Sequence, residues 1–373
     1  MVSVFVFHFG LPSAALLKLG GGEGAKIIPN LNLGVEVFFV LSGFLIYRPY
    51  AVAHATGAPR PPLLGYSVRR VLRIYPAYWF ALAVLLLNDE IYVNGFVNGV
   101  KHGTLTFTYF RDFGRIGERV PGIDVAWTLV VEVSFSLFVP AYAWLLRVAR
   151  ARTALLFAAP IVLAGIGFGV RWYINYHGFS TWPWVTVLPQ GLAALAPGML
   201  LAVATAVPDL STRAAALGRR TWLWWAAAGL VFFVLTRYSA GSPVYSIVAT
   251  VPSKWIWHVM LSPIVGALLV APLALAPRDR GAIRGALAAA PVAWLGTVSY
   301  GAYLWHRALI LNHLDGAALS TTNLFTALAM LVGTFALTLV VAAFSWYVIE
   351  RPALGLASRI ARRGRGLHSG RAS

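Results

Sequence analysis

Apolar residues run along this chain in blocks of about twenty, separated by short polar links, almost from end to end. Blocks of that length match an α-helix crossing the ~30 Å hydrocarbon core of a bilayer. They predict spans near residues 1–17, 33–53, 74–93, 124–148, 153–174, 184–207, 221–240, 251–276, 291–311 and 322–349. A backbone in hydrocarbon must satisfy its own hydrogen bonds, so the blocks are read as bundled helices. The expected fold class is all-α, a polytopic integral membrane bundle of about ten transmembrane helices. Residues 1–360 form one membrane domain, and 361–373, rich in Arg, Gly and Ser, are expected to be a disordered basic cytoplasmic tail lying near anionic lipid.

Polar residues inside the blocks are the exceptions to this pattern. An ionisable side chain in a span costs about 2.5–3.5 kcal/mol on insertion scales, so each one asks for a reason. His8 in VFVFHFG, Glu36 in LGVEVFFVLSGFLI, Glu132 in WTLVVEVSFSLFVP and His306 in GTVSYGAYLWH are the four of main interest. At ~1.5 Å per residue, His8 and Glu132 both lie roughly 12–14 Å below the outer ends of their spans, a depth at which they could meet. Thr128, Glu132 and Ser136 recur every four positions, and Ser299, Tyr303 and His306 share a face of the ninth span. Such polar stripes face a bundle interior, where a water-filled or substrate-filled cavity solvates them, although a lone intramembrane His or Glu can also be a packing hydrogen-bond partner. Gly34 and Gly43 read as positions of close helix packing.

Composition narrows the class. Of 373 residues, 59% are hydrophobic and 11% charged, and the mean hydropathy is +0.73, too few polar groups to coat a soluble globule of this size. The formal charge of +18 would point to a polyanion partner in a soluble chain, but here the basic residues gather in the links. Assigning alternate links to opposite sides gathers Arg48, Arg60, Arg69, Arg70, Arg73, Arg147, Arg213, Arg219, Arg220 and the tail arginines on one face. The positive-inside rule makes that face cytoplasmic, with both termini there, in a multi-pass protein of the cell membrane. The lipid bilayer is therefore a partner and nucleic acid is not. The outer link 94–123 is longer than a connection requires and is a candidate acceptor-binding loop.

Zero cysteines exclude disulfides, thiolate metal sites and an acyl-cysteine intermediate. The chain has no GxSxG elbow, no HExxH and no phosphate-cradling loop, which removes hydrolase, metalloprotease and nucleotidase readings, and no metal site is expected. In GYSVRRVLRIYPAYW, Arg70 and Arg73 stand three residues apart on one helical face. Guanidinium forks at that spacing suit a phosphate-rich ligand. From the residues alone, ordinary positive-inside anchoring beside interfacial Tyr75, Tyr78 and Trp79 is the reading preferred over a ligand site.

Six strings in order, VFHFG, GVEVFFVLSGFLI, RRVLRIYPAYW, WTLVVEVSF, LGTVSYGAYLWH and IERP, resemble the acyltransferase-3 family of membrane O-acyltransferases over essentially the whole chain. The resemblance implies a ten-helix core that takes an acyl group, often acetyl, from cytoplasmic acyl-CoA as donor substrate, with no permanently bound cofactor. The acceptor is expected to be a hydroxyl of a sugar in a polysaccharide, glycolipid or glycosylated natural product. It further implies His8 and Glu132 as the catalytic pair, His8 acting as general base and Glu132 orienting it, and Arg70 and Arg73 as the acyl-CoA-binding arginines. Glu36, Trp127, Thr128, Ser136, Ser299, Tyr303 and His306 are then supporting or substrate-binding residues. The family has a basic residue eleven positions before the histidine. Here that position falls before Met1, so either the first helix continues upstream or this copy lacks the arginine. A transporter or flippase of a polar or lipid-linked substrate is the alternative reading, since it too places ionisable groups at depth.

Overall fold

The computed structural model describes residues 1–89, 91–110, 122–149, 152–177, 186–239, 252–277, 281–313 and 322–369, and side chains over slightly less of the chain. Among these residues the chain is helical throughout, with no β-strand. The principal helices are α1 (Val2–Gly10), α2 (Gly34–Thr56), α3 (Leu63–Leu87), α4 (Trp127–Leu145), α5 (Thr153–Tyr176), α6 (Leu188–Ala206), α7 (Thr221–Tyr238), α8 (Pro252–Leu275), α9 (Ala290–His313), α10 (Leu324–Ser345) and α11 (Arg351–Ser369). Seven helical stretches among the described residues are long and apolar enough to cross a membrane, and a bent pair ending in α9 makes an eighth. The other two expected spans correspond to α1, nine residues long, and α7, eighteen residues carrying Trp222, Trp224, Trp225 and Arg237.

Several boundaries differ from the hydropathy blocks, each for a local reason. The first block breaks after Gly10 at Pro12 and Ser13, and the Ser13 hydroxyl caps the short helix Ala14–Leu17 by accepting from Leu16 N at 3.4 Å. Two prolines, Pro61 and Pro62, place the start of α3 at Leu63, about eleven residues ahead of its apolar block. The chain bends by 57° between Ala282–Ala288 and Ala290–Leu311. There Ala289 is extended (φ −58°, ψ 138°) just ahead of Pro291, whose ring cannot continue the preceding helix. Beyond α10 a single π-turn, Trp346–Glu350, carries the backbone into α11 past Pro352. The stretch expected to be a disordered tail from residue 361 is instead helical to Ser369.

Two apolar cores share α4. One joins Phe39 and Tyr47 of α2, Phe135 of α4, Leu195 of α6 and Val270 of α8. The other joins Tyr78 of α3, Leu129 of α4 and Leu304 of α9 with Leu105 and Phe107 from the link after α3. The closest crossing is between α2 and α6. A Cβ at Gly43 would collide with the Leu195 carbonyl oxygen, and one at Gly198 with that of Val40. Gly34, by contrast, would meet the side chains of Ser3 and Val4.

The link 94–123 folds back against α3. Tyr78 Oη, Trp79 Nε1 and Tyr75 Oη donate to the carbonyls of His102 (2.8 Å), Gly103 (2.8 Å) and Thr104 (3.2 Å). The three aromatic residues read as interfacial are thus engaged with the described part of this link. Its residues 111–121 lie outside the described residues.

Candidate active site

The early start of α3 sets the geometry of the site. It carries Arg69, Arg70 and Arg73 into the second and third turns of a helix, where the sequence had placed them just ahead of a span. All three face a cavity of about 820 Å³. Arg70 Nη1 lies 3.7 Å from Glu132 Oε1 of α4, and its guanidinium sits 5.9 Å from the Tyr66 ring centre. Tyr66 Oη in turn donates to the Ser136 carbonyl at 2.8 Å, tying α3 to α4.

The cavity passes from these arginines along α4, by way of Glu132 and, one turn further, Thr128, to Tyr303 and Ser299 of α9. Its remaining wall is mostly apolar, with Val4 of α1, Phe38 and Leu41 of α2 and Leu354 and Ala357 of α11, interrupted by Ser42, Tyr66, Tyr300 and Ser358. Tyr303 Oη donates to the Val125 carbonyl at 2.9 Å and accepts from Thr128 Oγ1 at 2.9 Å. Two of the expected polar stripes therefore meet here.

His8 stands one turn beyond Val4. Its Nδ1 is 3.0 Å from His306 Nε2 and 3.1 Å from the Val4 carbonyl oxygen. His306, fully buried, has Nδ1 2.7 Å from the Tyr303 carbonyl oxygen. The expected meeting of His8 with Glu132 is not formed: the ring partner of His8 is His306, and the ion-pair partner of Glu132 is Arg70. The cause is the register of α3, which brings a cation to the depth of Glu132 and turns the carboxylate toward it. The equal-depth argument fixed height along the membrane normal and left rotation about each helix free.

The other expected residues divide. Ser299 lines the cavity and donates to the Gly296 carbonyl at 2.7 Å. Ser136 is buried, its hydroxyl oxygen without a hydrogen-bond partner. Trp127 packs edge-on against Phe39 at 6.1 Å, away from the cavity lining. Glu36 is clamped: Arg171 of α5 donates to both its oxygens at 2.9 and 3.1 Å, and also to the carbonyls of Val259 (2.8 Å) and Gln190 (3.0 Å). Arg171 is only 3% exposed.

Sequence reasoning also missed the pair Asp124–Arg307, with Nε to Oδ2 at 2.9 Å beside the two histidines. Its signal was a carboxylate three residues ahead of Trp127 in the WTL string. Glu350, the acid of IERP, is buried and accepts from Ser345 Oγ at 3.2 Å. Outside the spans, hydrogen bonds from Lys26 and then Arg237 hold the Glu23 carboxyl below the usual carboxylate range. Among the described residues no group of three or more His, Asp or Glu is arranged to hold a metal ion.

The class is that of a polytopic helical membrane protein with an arginine-lined cavity and a hydrogen-bonded histidine pair one turn of α1 beyond its Val4 lining. The chain belongs to the acyltransferase-3 family: the family model for the acyltransferase domain matches residues 1–347. The protein is a membrane acyltransferase. It is 26% identical over 348 residues to "Nodulation protein 10" of Rhizobium leguminosarum bv. viciae, covering 88% of this chain and 84% of that protein. It is 22% identical over 339 residues to "Peptidoglycan O-acetyltransferase OatA" of Listeria monocytogenes, covering 86% of this chain and 51% of that protein. The chain thus spans about half the length of the Listeria relative. No solved structure matches it.

Proposed function

We propose that the protein transfers an acyl group, acetyl by the reading favoured here, from cytoplasmic acyl-CoA to a hydroxyl of a sugar-bearing acceptor at the outer face of the cell membrane, with both termini in the cytoplasm. The observation that carries this reading is the single cavity that has Arg69, Arg70 and Arg73 on its wall and extends to Val4, Thr128 and Tyr303 beside His8. At about 820 Å³ it lies within the ~300–1,000 Å³ common for ligand sites. The guanidinium groups suit the phosphates of coenzyme A, which accept charge-assisted and bidentate hydrogen bonds. The apolar stretch beyond them suits the pantetheine arm. The name of the Listeria relative, a peptidoglycan O-acetyltransferase, is consistent with a sugar hydroxyl as acceptor.

In the proposed reaction the acceptor hydroxyl gives its proton to His8 as the new C–O bond forms at the thioester carbonyl. The C–S bond then breaks, and the leaving thiolate takes that proton back from the imidazolium. Free imidazole titrates near neutrality and suits both halves of this transfer. Glu132, paired with Arg70, holds that arginine in the cavity wall before the donor arrives.

Radiolabelled acetyl-CoA supplied to membranes tests the reading, because a transferase moves label to the acceptor whereas a transporter or flippase leaves it on coenzyme A. His8→Ala is expected to lower turnover by about 10²-fold or more. Turnover equal to the parent's would remove His8 as the base. Arg70→Ala combined with Arg73→Ala should raise the donor KM by about tenfold or more, and a donor affinity equal to the parent's would end the phosphate assignment.

A further inference from the structure

The hydrogen-bond directions around the two histidines can be worked out from chemistry, because carbonyl oxygens only accept. His306 Nδ1 lies 2.7 Å from the Tyr303 carbonyl oxygen, so in that contact Nδ1 carries the proton. In the neutral ring the proton on Nδ1 leaves Nε2 as a bare lone pair. That lone pair is 3.0 Å from His8 Nδ1, so His8 Nδ1 must be the donor between the two rings. The Val4 carbonyl oxygen, 3.1 Å from the same Nδ1, is a second acceptor and agrees with this assignment. His8 is then protonated on Nδ1 and bare on Nε2. Its ring is partly open to space while its partner is fully buried.

We infer that His306 is a positioning residue which fixes His8 in the Nδ1–H tautomer and leaves Nε2 free to take the acceptor's proton. The inference rests on the reading of His8 as the general base. It assigns to a second, neutral imidazole the part that a carboxylate plays in hydrolase triads, where loss of the correct tautomer is severely costly. When His8 gains a proton it becomes an imidazolium, and its Nδ1–H to His306 Nε2 bond becomes charge-assisted. The proton leaves again with the thiolate sulfur, so His306 never changes its own protonation.

The surroundings keep the relay in one state. Tyr303, whose carbonyl fixes His306, is itself anchored through its hydroxyl to Val125 and Thr128. The adjacent Arg307 has its guanidinium turned onto Asp124 at 2.9 Å. Phe7 packs edge-on against His8 at 4.8 Å and Phe5 lies 6.4 Å from His306. The two rings therefore have few alternative hydrogen-bond partners, and the order of donors along Tyr303, His306 and His8 is set by the carbonyl at one end.

The test uses the full chain in lipid, labelled with 15N at its eight histidines, with the His8 resonances assigned by their loss in His8→Asn. Nitrogen shifts should report protonated Nδ1 and bare Nε2 for His8 in the parent, and a changed or mixed tautomer in His306→Phe. Turnover should fall about 10²-fold in His306→Phe with the donor KM unchanged. His306→Gln, whose amide oxygen can accept from His8 Nδ1, should recover activity to within about tenfold of the parent. A His8 protonated on Nε2 in the parent, a tautomer indifferent to His306, or a Gln variant no better than Phe would overturn the inference while leaving His8 as base. If the tautomer is as stated and His8→Ala still turns over at the parent rate, the reading of His8 fails instead.

Discussion

Glu36 and Arg171 show what a single intramembrane charge demands. Glu36 lies at the first turn of α2 and Arg171 near the end of α5, and the guanidinium satisfies both carboxylate oxygens and two backbone carbonyls at once. Breaking a buried pair from one side strands the other charge, at a cost of about 3–5 kcal/mol, whereas replacing both partners with apolar groups is often nearly neutral. Arg171→Met should therefore lower the unfolding temperature in detergent by many degrees, and Glu36→Met added to it should restore most of the loss. A single variant as stable as the parent would show that the pair is solvated. At this scale the sequence was informative about which residues matter and poor on their partners. His8, Glu36, Glu132 and His306 stood out because each breaks an apolar run, but Arg171 falls near a span end, where a basic residue is ordinary. The rotation of a side chain about its helix is written in packing, which one sequence does not display.

Helices come together here according to where backbone can approach backbone. Gly43 and Gly198 lie at the α2–α6 crossing, each under a carbonyl of the other helix, while α2 also supplies Phe38 and Leu41 to the cavity wall. Gly43→Val or Gly198→Val should force the helices apart, destabilising by about 1–3 kcal/mol as overpacked cores do. Thermal unfolding in detergent reads this, with Gly229→Val on α7 as the control, since a Cβ at Gly229 meets nothing within 4 Å. Equal melting of all three variants would mean that the crossing is loose. Ten apolar blocks and ten principal helices before α11 correspond one to one, because block length is a strong signal. Boundaries were less legible: three arginines depress hydropathy at the start of α3, so the window opened at Ile74, although Pro61 and Pro62 already marked a helix start. The bend ahead of α9 likewise had its proline in plain view at Pro291. The continuation of α11 to Ser369 had no such signal, since its Arg- and Gly-rich composition reads as a tail.

Orientation in the membrane belongs to the whole molecule, and it decides whether the arginine-lined end of the cavity faces the acyl-CoA pool. Helix length and apolarity are symmetric between the two sides; only the distribution of Arg and Lys breaks that symmetry. The chain contains no cysteine, so one introduced thiol reports its own location with no background. Ala58→Cys, in the exposed link between α2 and α3, and Gly99→Cys, in the exposed helix Gly95–Gly103 of the link after α3, lie on opposite sides if α3 crosses. A membrane-impermeant maleimide applied to intact cells should label the residue-99 thiol at once and the residue-58 thiol only after permeabilisation. Labelling in the reverse order would place the Arg69, Arg70 and Arg73 end outside, away from coenzyme A, and the donor would have to be a different anionic acyl carrier.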